Sequence, residues 1–526
     1  MSRNTPRTIV VFALAAAIWW STPVAGQLVD KNKAPNVANE GISRPLVGTP
    51  YPSQIGEGRS GSDWNTSANV ILYDPFRAIR RGRQLFQRKF TGIDGVGPIT
   101  GDGVGDINSD GSIGAGLADS CAACHGRPRG AAGFGGDVVT RPDSRDAPHL
   151  FGLGLKEMLA DEITADLRGI RDFARAKAAQ TGSAVTRGLT SKGIEYGVIR
   201  AFPDGTVDIS GVSGVDADLR VRPFFAHGET ISIREFVVGA LKNEMGLKIA
   251  ADPDLTAAQH GPVATASGMV LNGLTDRIEA TPAEEGDLGT LEQRTALVDF
   301  LEFYLFSYFK PGSGELTNEG RRGLTLMTEL GCTSCHVQNL SIRRDRRVAD
   351  VETVFDPERG NLNRLFATAR LQLANPSAIG QPQTAKVPAM QPFLVRNIFT
   401  DFKRHDLGPA FHERNYDGTI RTHFLTTALW GAGSTPPYGH DGRSISLTEV
   451  ILRHGGEAQA ARDAFASLGA SQRSAVLRFF ESLIIFPPDD TASNLDPGDR
   501  SAHSYPQYGH GSIRLTVLFN DPQVIE

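Results

Sequence analysis

The chain has 526 residues, 40% of them hydrophobic, with 54 Lys and Arg against 59 Asp and Glu and a net charge of −5. This is the composition of a water-soluble protein with room for two or three domains. Its mildly acidic balance makes nucleic acid and anionic membranes poor partners.

The N-terminus reads as a secretory signal over 1–26. Arg3 and Arg7 precede a 12-residue apolar run from Ile9 to Trp20, and Val24-Ala25-Gly26 offers small residues before a cut at Gln27. The run is too short to span a bilayer. A periplasmic or secreted location is expected, with no stable membrane insertion after cleavage. Residues 27–59 form an N-terminal extension. Asp106, Asn108 and Asp110 alternate oxygen ligands, with Gly111 at position six, like the opening of a calcium loop. Position twelve is Leu117 rather than glutamate, with Asp119 as a substitute. Calcium and a solvated Asx-rich turn are the two readings here.

All four cysteines fall in two segments, Cys121-Ala-Ala-Cys124-His125 and Cys332-Thr-Ser-Cys335-His336. This is the attachment pattern of c-type haem. Two thiols a helical turn apart reach the two vinyl groups of one porphyrin, and the adjacent imidazole binds the iron. Two covalently bound haem c groups are expected. Zinc would need further ligands at ligand spacing, and a redox dithiol would not need the histidine. No thiol remains for a disulfide.

Five segments recur in order. Arg80-Arg81-Gly82 pairs with Arg321-Arg322-Gly323, and the haem motifs pair with each other. Leu150-Phe151-Gly152-Leu153-Gly154 pairs with Leu429-Trp430-Gly431-Ala432-Gly433, and Ile231-Ser232-Ile233-Arg234-Glu235 with Ile445-Ser446-Leu447-Thr448-Glu449. Gln293-Arg294-Thr295-Ala296-Leu297 pairs with Gln472-Arg473-Ser474-Ala475-Val476. The expected class is mainly α: two cytochrome-c-like haem domains related by internal duplication, with loop-rich insertions. The first spans 60–310 and the second 311–487, joined at Pro311-Gly312-Ser313-Gly314, with a tail over 488–526. Val298, Leu301 and Leu305, like Val476, Phe479, Phe480 and Leu483, recur at helical spacing as core. Residues 180–220 read as a β-containing insertion, and 340–395 carry no assignment.

The halves differ at one position. Ser232 with Glu235, and Ser446 with Glu449, fit capping boxes that open two helices. In the second helix Leu447, Val450, Ile451 and His454 share a buried apolar face, ended by Gly455-Gly456. His454 is a candidate sixth ligand of the second iron, against the reading of a hydrogen-bonded core histidine. The matching residue in the first helix is Ala240, which cannot ligate. The first haem, on His125, is thus expected to keep an open or exchangeable position, and the second, on His336 and His454, to be six-coordinate. Glu235 is the candidate acid–base group at the open site, with helix capping as its competing role. His227 and His149 are structural residues or resting-state ligands of the first site. His405, His412, His423 and His440 are read as surface or supporting groups. Arg443, in the turn Tyr438-Gly439-His440-Asp441-Gly442-Arg443, is a candidate propionate partner.

At these residues the chain resembles the dihaem oxidoreductase family of peroxidases, relatives of bacterial dihaem cytochrome c peroxidases. The resemblance covers most of 70–487. It is most specific at Pro223-Phe224-Phe225-Ala226-His227-Gly228 running into the helix of Glu235, and from Thr435 through Arg443 into His454-Gly455-Gly456-Glu457. The resemblance implies that Glu235 is the distal catalytic glutamate and that His454 is the distal ligand of the electron-transfer haem, where methionine is common. Phe225-Ala226-His227 stands where those peroxidases usually carry Phe-Trp-Asp, and their distal-pocket glutamine is not matched. Rubber oxygenase is similar as a distant relative of the same architecture.

The expected function is therefore peroxidase-like reduction of peroxide at the first haem, with electrons relayed by the second from a small redox protein. An alternative is a dihaem oxygenase that acts on an organic substrate with oxygen. A second alternative is a non-catalytic electron-transfer cytochrome.

Overall fold

The computed structural model describes residues 58–61, 65–73, 75–88, 90, 120–126, 137–138, 145–247, 251–279, 291–307, 316–347, 349–350, 370–371, 392–415 and 417–484. The signal segment, nearly all of the N-terminal extension, the calcium-loop residues 106–119, the linker 311–314 and the tail 488–526 lie outside them.

Eleven helices are named among the described residues. In chain order they are α1 (Ser67–Tyr73), α2 (Pro75–Gln87), α3 (Cys121–His125), α4 (Leu153–Thr181), α5 (Ile233–Asn243), α6 (Pro253–Ala258), α7 (Leu291–Ser307), α8 (Asn318–Glu329), α9 (Leu447–Arg453), α10 (Gln459–Ser467) and α11 (Ala470–Glu481). Helix makes up 43% of the structure and strand 15%, so the content is mixed rather than mainly α. The strands come from the connections. Residues 340–425 close their excursions with two-stranded antiparallel pairs: Leu340–Ile342 with Phe393–Val395, Arg404–Asp406 with His423–Leu425, and Glu413–Arg414 with Ile420–Arg421. None of the described helices is long and apolar enough to cross a membrane.

The expected insertion is an antiparallel meander of Val185–Ser191, Ile194–Ala201 and Val207–Asp208. Its first turn is Lys192-Gly193, with φ of 52° and 80°. Two successive positive φ values suit the twist of a tight hairpin. The meander is anchored to the second half where the buried Tyr196 hydroxyl donates to the Asp401 carbonyl at 2.8 Å.

Helix α7 is the centre of the first half. Val298, Leu301 and Leu305 are buried as their spacing required, but so are Phe300, Phe303 and Tyr304 on the other faces. A helix apolar all round is a core helix. Its buried acids, Asp299 and Glu302, are neutralised by the fully buried Arg234 at 2.9 Å each. Arg234 also pairs with Asp252 at 2.6 Å. A buried cation shared by several acids is tolerable only when the geometry satisfies every partner. Here it fixes the start of α5 against α7.

Two glycine contacts recur in the two halves. A Cβ on Gly82 of α2 would lie 2.1 Å from the Phe300 carbonyl oxygen of α7, and one on Gly323 of α8 would lie 1.9 Å from the Ala475 oxygen of α11. A Cβ on Gly154 would lie 2.0 Å from the Phe306 oxygen, and one on Gly433 would lie 2.6 Å from each of the Phe480 and Glu481 oxygens. Gly82 thus meets Phe300 as Gly323 meets Ala475. This pairing lies one helical turn from that of Gln293 with Gln472 read from the sequence. Short apolar repeats on helices look alike when slid by a turn; backbone contact at glycine cannot slide.

The core of the first half takes in Leu340, Ile342, Val395, Ile398, Phe402, Ala428 and Trp430. A smaller cluster holds Met327, Phe399, Phe465, Val476, Phe479 and Leu483.

Candidate functional site

The first motif forms a single helical turn, α3, which ends at Gly126. A Cβ on Gly126 would lie 2.1 Å from the Ala122 oxygen, so the chain can leave this turn only through glycine. The second motif is a shorter turn, Cys332–Ser334, entered through Gly331 at φ 83°. None of the four cysteines forms a disulfide, and burial pushes the Cys121 thiol up to about 12.

The histidines that follow are oriented alike. His125 Nδ1 lies 2.8 Å from the Pro148 carbonyl, and His336 Nδ1 lies 3.0 Å from the Phe399 carbonyl. A carbonyl can only accept, so each Nδ1 carries the proton and each Nε2 keeps its lone pair. Burial lowers both imidazoles, His336 to about 4, so both are neutral. A neutral imidazole with Nδ1–H tied to backbone is the form that ligates a metal through Nε2. One cavity of about 1140 Å³ is lined by both motifs, both of these histidines, and Trp430.

Helix α9 brings His454 to the same cavity. Ser446 caps the helix by accepting from the Glu449 amide at 3.2 Å, while the Glu449 carboxylate accepts from the Ile445 amide at 2.8 Å. His454 follows as the C-terminal cap, with Nδ1 2.7 Å from the Val450 carbonyl. It is thus the third histidine in the Nδ1–H form. Leu447, Val450, Ile451 and His454 all line the cavity, as their spacing required. They are half-buried rather than buried, because their face is turned to the cavity and not to packed side chains.

Helix α5 presents Ala240 to the cavity, where α9 presents His454. The capping box at its start is complete. Glu235 Oε2 accepts from the Ile231 amide at 3.2 Å, the Ser232 amide at 3.1 Å and the Ser232 hydroxyl at 2.8 Å. Oε1 accepts from the Glu279 amide at 3.3 Å. Glu235 lines the cavity. Burial raises its carboxyl above the ordinary range, against the pull of these bonds. Both candidate roles therefore meet in one side chain. Three phenylalanines form the neighbouring wall. Phe236 lies with ring centroids 6.2 Å from Phe224 and 5.5 Å from Phe225. Phe225 holds φ at 60°, a strained value for a bulky side chain.

The other candidate histidines are accounted for by protein partners. His227 lies between Glu229 at 3.1 Å and Arg421 at 3.1 Å, so both nitrogens are engaged. His149 gives its Nε2 hydrogen to the Trp430 carbonyl at 2.8 Å, and its Nδ1 is buried with no partner. His405 bridges Asp401 and Glu457 at 2.8 Å each. His412 pairs with Asp406, and His440 pairs with Glu413 while stacking on Phe424 at 4.1 Å. Arg443 is exposed and does not line the cavity; the buried Asp441 of its turn is held by Arg453, also through a 2.9 Å bond.

Sequence reasoning missed Lys156, which lines the cavity one helical turn after Leu153. It also missed the His149–Trp430 contact, which joins residues 281 apart. No local pattern signals either one.

Residues 378–483, the stretch that carries His405, the Trp430 segment and His454, match the family described as "Di-haem oxidoreductase, putative peroxidase". The resemblance to the di-haem oxidoreductases is thereby shown. The comparison with curated proteins gives no match. Among solved structures, hydrazine synthase of Kuenenia stuttgartiensis, pressurised with 20 bar xenon, is similar at 11% identity over 91% of this chain and 100% of that chain, with a TM-score of 0.32. That likeness is too slight to inform fold or function.

A di-haem oxidoreductase needs two haem groups, and the residues present fit them. The cavity reaches both motifs, both motif histidines offer Nε2 as a neutral ligand, and an unpaired buried nitrogen of His149 marks a polar wall without a protein partner. Cys121, Cys124 and His125 would hold the first group, and Cys332, Cys335, His336 and His454 the second.

Proposed function

We propose that this chain is a periplasmic di-haem c-type oxidoreductase of peroxidase-like activity, with both haems covalently attached. Its two halves descend from one haem-binding unit. The recurring glycine contacts of Gly82 with Gly323 and Gly154 with Gly433 support that descent.

The observation that carries the reading is the asymmetry between Ala240 and His454, both on the cavity wall. Cys332, Cys335, His336 and His454 would hold a haem at the second site, which would suit electron transfer. At the first site the aligned residue is alanine, which offers no ligand, so a haem held by Cys121, Cys124 and His125 would be available to bind peroxide or oxygen. When bound, the first haem supplies the redox-active iron at which peroxide is reduced. The protein's part is positional. His125 is presented in a single tautomer by Pro148. Glu235 has its carboxyl raised by burial, which suits a group that takes a proton from one peroxide oxygen and returns it to the other. Electrons enter at the second haem from a small redox protein.

An oxygenase reading has one specific observation in its favour. Phe224, Phe225 and Phe236 make the wall beside Ala240 apolar, and three hydrogen bonds at its cap, with a fourth from the Glu279 amide, hold the Glu235 carboxylate. Such a wall suits an apolar organic substrate.

Mass spectrometry and the absorption and paramagnetic-resonance spectra of the purified holoprotein test the proposal. Expected are two covalent haems, one with two histidine ligands and one that binds cyanide or peroxide. Fewer than two haems, or two six-coordinate haems that ignore both ligands, would reject the enzyme reading. Peroxide consumption with reduced cytochrome, against oxygen uptake with an alkene, separates the two enzymes.

A further inference from the structure

Lys156 projects from the first turn of α4 and lines the cavity beside His125, His149 and Leu153. Among the described residues it forms no ion pair. Its neighbour Glu157 is committed elsewhere, to Arg346 at 3.1 Å and the Ile233 amide at 2.8 Å. Burial lowers the Lys156 ammonium to about 8. After burial itself, the charge of Lys156 is the next cause that lowers His149, which falls to about 3. His149 has spent its one N–H on Trp430 and its Nδ1 is buried, so it has no hydrogen left to donate to an anion. This wall of the first site therefore carries one unopposed positive charge.

The second half has no counterpart. The position aligned with Lys156 through Leu150 and Leu429 is Thr435, whose hydroxyl donates to the Gly431 carbonyl at 3.0 Å. The cation belongs to the first site alone. Lys156 is half-buried on the cavity wall, and a cation there without an ion-pair partner attracts an anion.

We propose that Lys156 binds a carboxylate at the first site, supplied either by a propionate of the first haem or by a small carboxylate from solution. This rests on the reading of the first site as a haem site and not on the reaction run there. Haem content is therefore measured first, so that failed loading counts against the haem reading and not against Lys156.

The test uses the holoprotein as wild type, Lys156→Met and Lys156→Arg. Resonance Raman reports the propionate bending band of the first haem, and absorbance follows a titration with acetate. Lys156→Met keeps the length of the side chain and removes the charge. Lys156→Arg keeps the charge and gains a planar fork for carboxylates. If the propionate is the ligand, the band shifts in Lys156→Met, returns towards wild type in Lys156→Arg, and acetate changes nothing. If the carboxylate comes from solution, acetate produces a saturable change in wild type that weakens about tenfold or more in Lys156→Met, equivalent to about 1.4 kcal/mol. A band in Lys156→Met identical to wild type, together with no acetate response that depends on Lys156, overturns the proposal.

Discussion

His149 donates its Nε2 hydrogen to the carbonyl oxygen of Trp430 at 2.8 Å. This bond sits in a continuous run between the two motifs. His125 is held by Pro148, the residue before His149. Beyond Trp430, the Leu429 amide donates to Ile398 at 3.0 Å, and the next carbonyl, that of Phe399, holds His336. The two motif histidines are thus oriented by carbonyls of one connected backbone framework.

His149→Phe should leave the Trp430 carbonyl without this donor. The cost of such an unmet group is about 1–3 kcal/mol. Denaturant unfolding of the holoprotein measures it. A variant as stable as wild type would show that the contact contributes little to holding the halves together.

His454→Ala should turn one low-spin haem signal high-spin and raise the potential of that haem. His454→Met should keep six-coordination at a higher potential, since thioether ligation raises the potential relative to histidine. Paramagnetic resonance and redox titration read both effects. Unchanged spectra in both variants would return His454 to the role of a cavity-wall histidine bonded to Val450.

Glu235→Gln should keep both haem signals and lose roughly 10²–10⁴-fold in peroxide reduction, the usual range for acid–base catalysis. Glutamine can still accept from Ser232 through its one oxygen, so the cap survives better than with alanine. The assay uses saturating electron donor. Full turnover in this variant would leave Glu235 with its capping role alone.

Gly323→Ala should destabilise the second half. Its Cβ would fall 1.9 Å from the Ala475 oxygen and 3.0 Å from the Phe479 Cβ, so α8 must move off α11. Overpacking of this kind costs about 1–3 kcal/mol, and more where backbone cannot yield. Gly331→Ala meets no neighbouring atom but is strained at φ 83°, so it serves as a control for strain without overlap. Thermal unfolding that places Gly323→Ala level with wild type would refute the contact.

Stability should also depend on pH through His405. Burial opposes its charge, but the bonds with Asp401 and Glu457 at 2.8 Å each help to outweigh burial and raise it from 6.5 to about 11. A pKa higher in the folded state means that the protonated form stabilises the fold. That contribution is complete below about pH 6.5 and is lost as pH rises towards about 11. His405→Gln should therefore cost most below pH 6.5 and progressively less above it. A stability difference that is flat across this range would contradict the charged His405 reading.

The local features of the site were legible because short-range chemistry fixes them. Two Cys-x-x-Cys-His turns, two serine caps and the helical spacing that carries His454 to the cavity each need only a few consecutive residues. Other features depended on which distant segments meet. The close approach of α2 to α7 and of α8 to α11 depends on glycines whose partners lie far along the chain. Lys156 is without an ion-pair partner among the described residues because no acidic side chain from another segment reaches it. The neutral, half-satisfied state of His149 follows from a carbonyl in the other half of the chain. The strand content arose in the meander of Val185–Asp208 and in short antiparallel pairs elsewhere in the connections, where helical periodicity is weak and strand pairing satisfies the backbone instead. By itself the sequence determined the two Cys-x-x-Cys-His segments and the Ala240–His454 asymmetry, because these are identities at fixed spacing. Tertiary structure alone decided which nitrogen of each histidine is free and which charges are left unpaired, because hydrogen-bond partners and counter-charges come from segments that only folding brings together.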